Sequence, residues 1–597
     1  MTLQKSLFNP KLAFEDIKQN KHVVFLYTVI LLMCTLFPAS LEYSNYFADT
    51  VNNSYCLQNA ADILPLANPF VMLLAFAAAF IIAILQFNYL YKQNSVIFVH
   101  SMPYTRANII VTKYVSGLLM TVLPILWVGL INMLAVKVMG IEYLVSYKDF
   151  VKSLAYGILS VTFCYSVIVM AQTVASSIFS LFIAASFVFL LYPITKGVAM
   201  VMVSSYLKTY EVETLFSREL DFIFPIWKVS AAEDAASALT VGFTAYLVIA
   251  SIVMLIISAL VYSKRKSENS NKFFAFNAVN KFLKFYITIV LALGVGGLTG
   301  QAASGNFGMA YAMYIVAAII IFAVLQAIFD KNIKNMFANK LSLGAVLLIV
   351  TAVSCAFKFD VLKLNDRVPD ANDTKTIEVT VPLTSGNGYV SNEKYDFTDK
   401  KVIEKSILLM KNGEYARDRG WTSDDDFVVI TFATDRYKKL GISRRVLVKK
   451  ADYSEFQRLI FESGELQAQI VPTEEEMNEI YWTYATYLED NFNIQTKGDM
   501  EKLIKTLSAE FKTLTADEFA NGNTVGWVEF EIPRKTTGGN ARSFFYRRIP
   551  VYESFTETID FLEKYNNDRI AKAEADDKAA EEENSAEITA AAETAAQ

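Results

Sequence analysis

Residues 92–114 read KQNSVIFVHSMPYTRANIIVTKY, flanked by two apolar runs, about 66–91 and 115–136, each long enough to cross a bilayer. The stretch is therefore a short loop held at both ends by membrane helices. Lys92, Arg106 and Lys113 make it basic with no acidic residue, which places it in the cytoplasm by the positive-inside rule. Yet Val96, Ile97, Phe98, Val99, Met102 and Tyr104 are too apolar for a solvated loop and need cover. Pro103 interrupts the backbone, and the Thr105 hydroxyl is placed to cap the helix that follows. Such an element suits the docking of a soluble partner; the alternative is an interfacial helix resting among lipid headgroups.

The chain around it has 597 residues, of which 53% are hydrophobic, and a mean hydropathy of +0.31. That is enough for a membrane domain and a soluble domain together. A net charge of −5 gives no sign of nucleic-acid binding. Cys34, Cys164 and Cys355 lie in apolar runs, Cys56 stands alone in an outer loop, and no pair has metal-ligand spacing. Residues 8–21 begin with Asn9 and Pro10 as cap and first helical position, then set Leu12, Phe14 and Ile17 among charges, as an amphipathic surface helix would. An uncleaved first span follows at about 23–40.

Further spans are expected at about 153–173, 175–193 and 240–262, then at 283–300, 308–329 and 341–357. The fifth ends near Pro193, and from Gly197 to Leu239 the chain turns mixed, with an apolar piece (VAMVMVSSYL), then acids and bases, then FIFPIW; one more full crossing is one reading of it. Lys264, Arg265, Lys266 and Lys272 mark the inside after the sixth span; Lys331, Lys334 and Lys340 do so after the eighth. Parity then puts everything beyond about residue 360 outside the cell. Alternating runs such as TIEVTV, DFVVITF, RRVLVK, WVEFEI and SFFYRRI predict strands there. Helices are predicted over KKVIEKSILLMK, over EEEMNEIYWTYATYLED with Thr473 and Glu476 as a capping box, and over SFTETIDFLEKY. The expected fold class is a polytopic α-helical membrane protein with a C-terminal α+β soluble domain. Its segments are an interfacial helix (1–21), a six-span domain (22–265), three additional spans (266–358), the outer α+β domain (359–569) and a disordered acidic Ala/Glu tail (570–597).

What is missing narrows the chemistry. No P-loop phrase occurs, so there is no ATP site of the usual kind, and two histidines cannot supply an H-E-x-x-H site. No G-x-S-x-G elbow is present, and Asp424, Asp425 and Asp426 lack the alternating spacing of a calcium loop. The central parts of the spans carry almost no charge; Gln86, Asn88, Asn132, Gln172 and Gln326 are neutral and suited to joining helices. That disfavours an ion-coupled transporter, a proton pump or a voltage-gated channel.

The phrase YLYKQNSVIFVHSMPYTRANIIVTKYVSGL resembles the segment between the second and third spans of type-two ABC transporter permeases of the Gram-positive branch, where a polar loop leads into a His-x-hydrophobic-Pro-x-Thr/Ser-Arg phrase. Those positions are here His100, Met102, Pro103, Thr105 and Arg106, and the opening LFNPKLAFEDIKQNKHVVFLYTVILL is similar to the same branch. The resemblance covers about the first 265 residues and implies re-entrant or surface helices at the outer site between Gly197 and Leu239. It implies a bacterial cell-membrane permease, not itself an enzyme and without cofactor, whose ATP is bound by partner ATPase subunits and which pairs with a second copy or a sister permease within membrane lipid. The coupling loop would use Val96, Phe98, Met102 and Tyr104, with Pro103 at the bend, as apolar contact, and His100 and Arg106 as polar pins. Export of an amphiphilic lipid, peptide or drug is the leading function, and resistance to peptide antibiotics follows only by family analogy. An envelope or antibiotic sensor whose outer domain binds a ligand is the alternative. An outer enzyme acting on lipid or wall has no supporting residues.

Overall fold

A computed structural model describes residues 7–571, apart from 49–53, 67, 208, 213–222, 226–239, 304–305, 385–389, 416–426, 441, 479, 481, 489, 495 and 534–543. The acidic tail, the Asp424–Asp426 run and most of the stretch between 213 and 239 lie outside the described residues. The rest divides into two compact units.

The first unit is helical because its apolar runs are long and their backbone groups must pair within the segment. In chain order its helices are α1 (Pro10–Gln19), α2 (Lys21–Phe47), α3 (Ser54–Ile63), α4 (Pro69–Phe87), α5 (Gln93–Ser101) and α6 (Arg106–Val138). They continue with α7 (Tyr147–Val174), α8 (Ile178–Tyr206), α9 (Val241–Lys264), α10 (Asn277–Ala302), α11 (Phe307–Asp330) and α12 (Lys340–Lys358). Among the described residues nine helices are long and apolar enough to cross a membrane: α2, α4 and α6 to α12. The chain is a polytopic α-helical membrane protein with a separate sheet-containing C-terminal unit. Large apolar side chains such as Phe25, Trp127 and Leu348 point out of the bundle, a surface that only lipid would cover.

The cap residues act as their types dictate. Asn9 accepts from the Lys11 and Leu12 amides, Asn68 from the Phe70 amide, and Thr105 from the Asn108 amide. The fifth span needs correction: α8 runs through Pro193 to Tyr206, so VAMVMVSSYL is its last turns and not an outer piece. A proline inside a membrane helix is tolerated where neighbouring helices and local adjustments satisfy the backbone; two residues before Pro193 the Leu191 carbonyl accepts from the Tyr286 hydroxyl of α10 at 2.9 Å. In α10 a Cβ on Gly296 would fall 2.0 Å from the Tyr314 ring, so glycine sets how closely α11 approaches. The unit runs without a break past residue 265, where the six-span domain was expected to end.

The second unit comprises residues 208–211, 365–534 and 543 onward. Its strands are β1 (Tyr210–Val212), β2 (Ile377–Thr384), β3 (Val390–Phe397), β4 (Glu414–Tyr415), β5 (Phe427–Thr434), β6 (Ile442–Lys449), β7 (Trp482–Tyr487), β8 (Asp490–Asn493), β9 (Thr524–Pro533) and β10 (Phe544–Tyr552). The main helices are α13 (Lys400–Asn412), α14 (Lys450–Glu462), α15 (Lys497–Thr513) and α16 (556–571). One sheet has the order β1-β6-β5-β2-β3, with β4 also on β6; the other has the order β10-β9-β7-β8. The succession β2-β3-α13-β5-β6-α14 is repeated as β7-β8-α15-β9-β10-α16, and the repeats share one strand order. The unit is thus a tandem of two ββαββα modules. Their helices and sheets bury Phe397, Phe432, Phe456, Leu503, Phe511 and Phe530 in one core.

A second correction falls in this unit. Among the described residues of EEEMNEIYWTYATYLED only Glu474–Asn478 is helical, whereas Trp482–Tyr487 forms β7 and Asp490 opens β8. The capping box does form, with Thr473 Oγ1 accepting from the Glu476 amide at 3.3 Å and Glu476 Oε2 accepting from the Thr473 amide at 2.7 Å. Helical spacing then loses to period-two burial, because Thr483, Ala485 and Tyr487 all face the core. On the neighbouring strand, a Cβ on Gly526 would lie 2.0 Å from the Thr486 carbonyl oxygen, so β9 can pair with β7 there only through glycine.

Candidate functional site: the loop between the second and third spans

The loop that opened the sequence reading folds as α5, one short helix between Lys92 and Met102 in extended conformations. Its two faces differ. Val96 is wholly buried among residues of the bundle core, a burial that stabilises by about 1.5–3 kcal/mol for a side chain of this kind. Ile97 and Phe98 point outward, 51% and 66% exposed. Met102 and Tyr104 are half-buried, and Pro103 is exposed at the bend. Val96 is therefore absent from the outward surface, and Ile97 takes the place that the sequence reading gave it.

The two polar residues of the motif turn inward and meet the end of α9. His100 lies between two hydroxyls, with Nδ1 3.0 Å from Ser267 Oγ and Nε2 3.1 Å from the Tyr262 hydroxyl. The Tyr89 hydroxyl donates to that of Tyr262 at 2.9 Å. Tyr262 is then left to donate to Nε2, so the neutral ring carries its proton on Nδ1 and donates to Ser267. Burial, followed by the nearby charges of Arg106 and Arg265, pushes the His100 pKa down to about 4. Arg106 donates through Nη1 to the Ser263 and Arg265 carbonyls, at 2.9 and 2.7 Å. These are carbonyls at the C-terminal end of a helix, where a cation is favoured.

Arg265 completes the arrangement. The sequence reading took it for one of four topology-setting charges, but it is 1% exposed. Its Nη1 donates to the carbonyls of Gln172, Thr173 and Ala175 at 3.2, 3.0 and 2.8 Å, and its Nη2 to the Leu90 carbonyl at 3.1 Å. It thus caps the C-terminal end of α7 from another helix and ties in the turn that follows α4. The Tyr91 hydroxyl adds a 2.6 Å bond to Gln172. The chain beyond is bound in the same way: the Ala275 amide donates to the Val174 carbonyl at 2.8 Å, and Phe273 stacks on Phe329 of α11 with centroids 4.8 Å apart.

On the other side of Tyr89 lies α1. Asp16 is 8% exposed and pairs with Lys113 of α6 at 3.1 Å, while Lys113 sits 5.5 Å from the centre of the Tyr89 ring. The Asn9 amide donates to Thr112 Oγ1 at 3.0 Å. The ends of α1, α4, α5, α6, α7 and α9 therefore meet in one polar network, with Ile97 and Phe98 on its outer surface. Sequence reasoning named α5, His100 and Arg106. It missed Asp16, Tyr89, Tyr262 and Arg265, whose partners lie 80 or more residues away and leave no local pattern. Lys284 of α10 was also missed; it is buried beside Gln326 and 4.9 Å from the centre of the Phe322 ring.

Among the described residues no group of His, Cys, Asp and Glu is placed to hold a metal. Comparison of the chain with protein-family models, with curated proteins and with solved structures finds no match.

Proposed function

We propose that this chain is the membrane-spanning permease subunit of an ATP-binding cassette transporter, driven by a separate ATPase and exporting an amphiphilic substrate. The observation that carries the reading is the two-sidedness of α5. A nine-residue helix joins two spans, offers Ile97 and Phe98 outward, buries Val96 in the bundle core and bonds through His100 to the end of α9, where Arg106 at the start of α6 also docks. A push on its outer face has a continuous set of bonds through which to tilt α4, α6, α7 and α9. The lack of any P-loop in 597 residues gives the nucleotide to a partner chain. Two copies of the permease, or one copy and a sister chain, would complete the path. On this reading α5 lies in the cytoplasm and the C-terminal unit outside the bacterial cell membrane, a sidedness supported by the basic loops and the parity of the spans.

Purification of the tagged chain from its native membrane tests the proposal. The parent is expected to elute with a Walker-motif ATPase and measurable ATP hydrolysis. The Ile97→Glu, Phe98→Glu variant is expected to insert normally and to lose that activity at least tenfold, because two carboxylates would have to be buried at the contact. Undiminished recovery of the ATPase with the variant removes the docking surface, and a parent that elutes alone removes the proposal. The sensor reading draws support from one feature, the independent core of the C-terminal unit, which bare export does not need. ATP hydrolysis that responds to an outer ligand without substrate movement in vesicles would favour it.

A further inference from the structure

The C-terminal unit takes its chain from two places. Residues 208–211 follow α8 directly, and residue 365 follows α12 after a short link. Both arrivals are fastened by the same part of β6. The Arg445 amide donates to the Thr209 carbonyl at 2.8 Å, and the Arg445 side chain meets Glu211 at 3.5 Å. Tyr210 is buried, packs edge-on to Tyr437 with centroids 5.7 Å apart, and lies 5.7 Å from the Arg444 guanidinium. Arg444, 3% exposed, donates to the Arg367 carbonyl at 3.0 Å and also to the Asn365 carbonyl. One buried arginine thus touches the strand that leaves α8 and the link that leaves α12.

The second module shows that this arginine has a role that belongs to the fold. Arg547 of β10 occupies the position of Arg444 in β6, each the first of an Arg-Arg pair before Val446 or Ile549. Arg547 donates to the Val471 carbonyl at 3.1 Å and to Glu476 at 2.9 Å, in the link that leads into β7. In both modules the arginine holds the incoming link. Only the first module holds a further strand as well, drawn from between two membrane spans.

We propose that residues 209–212 are a strap: the strand that continues the chain after the fifth span and the link that continues it after the ninth are held by the same arginine, so a rearrangement around Arg444 releases both segments together. The strap also fixes topology. Strands of one sheet lie on one side of a membrane, so an even number of crossings separates residue 211 from residue 365. Helices α9, α10, α11 and α12 supply four.

Two measurements on the full-length chain in lipid nanodiscs or cells test the strap. In hydrogen exchange, amides at 209–212 and 365–367 are expected to be protected in the parent. Arg444→Met is expected to release both sets together, at least tenfold faster, while Arg547→Met leaves them protected. Exchange of 209–212 at the rate of a free loop in the parent, or release of one set alone, overturns the proposal. If Arg444→Met does not fold, Glu211→Lys, which touches Arg445 alone, is expected to release 209–212 first. In a chain lacking Cys34, Cys56, Cys164 and Cys355, single cysteines at Val212 and Asp366 are expected to react with an impermeant maleimide from the same side. Reaction from opposite sides overturns the strap. Reaction of both only after permeabilisation leaves the strap standing and overturns the outside location in the functional reading.

Discussion

Arg265 and Arg444 are both buried guanidiniums held by backbone carbonyls, one at the end of a helical bundle and the other in a sheet. Among the described residues neither buried fork meets a carboxylate. A charge taken out of water needs compensation, and oriented peptide dipoles supply it at both sites. The difference lies in how complete the compensation is. Arg265 meets three carbonyls at the end of α7, whose partial negative charges add, and a fourth at Leu90. Arg444 meets two carbonyls of an irregular link and a tyrosine ring, and its Nε has no partner. The bundle end is thus a tightly satisfied joint, whereas the sheet edge is a looser one. The tighter joint ties together the ends of α4, α7 and α9.

The largest effect is expected from breaking the tight joint. Arg265→Met keeps the apolar stem and leaves four buried carbonyls without a donor, a loss of about 3–5 kcal/mol by analogy with removal of one partner from a buried charged pair. Arg265→Lys retains the charge but cannot fork to four acceptors, so it should recover less than half of that. Thermal unfolding followed by size-exclusion in detergent reads both. If Arg265→Met melts within two degrees of the parent, the carbonyl cage is ornamental and the comparison fails. Arg444→Met should cost less, about 2 kcal/mol, because fewer acceptors are stranded.

These two arginines also mark the limit of what the sequence could tell. The nine spans were legible because twenty apolar residues in a row have few other fates, and the caps at Asn9 and Thr105 were legible because their partners sit two or three residues away. The reading of α8 stopped at Pro193 by applying a rule of soluble helices to a membrane one. The segment Trp482–Tyr487 was read as helix since its local capping box was genuine, while the burial that makes it a strand comes from β9, some 40 residues later. At the candidate site, Phe98 and the motif residues His100 and Arg106 were visible in one short phrase, whereas Val96 was assigned to the outward face that Ile97 occupies. What His100 and Arg106 hold was not visible. Arg265 looks like any other member of SKRKSENSNK, and only folding separates it from its exposed neighbours Lys264 and Lys266.

A smaller effect should follow at the other flank of the bundle joint, where compensation is a carboxylate and not a set of carbonyls. Asp16→Asn leaves Lys113 without its partner in a partly buried setting, at a cost of about 1–2 kcal/mol, between the exposed and fully buried limits. The loss should appear as roughly tenfold faster exchange in residues 10–19, since about 1.4 kcal/mol is one decade. Undisturbed exchange would mean that α1 is held by Asn9, Ala13 and its lipid-facing side chains alone.

The smallest expected effect sharpens the comparison by charge alone. His100 titrates near 4 in the folded chain against about 6.5 in an unfolded one, so the unfolded form binds more protons between those values. The contribution of neutral His100 is therefore fully present above pH 6.5 and is lost as the pH falls toward 4. Protonation would put a third cation beside Arg106 and Arg265 and remove the acceptor that Tyr262 uses. Exchange in α5, corrected for the intrinsic rate, should accelerate a few-fold between pH 7.5 and 5. In His100→Gln, which has no titrating group but can still bridge two hydroxyls, that acceleration should vanish while exchange at pH 7.5 changes little. An equal acceleration in His100→Gln would assign the pH response to another group and leave His100 a packing residue between two hydroxyls.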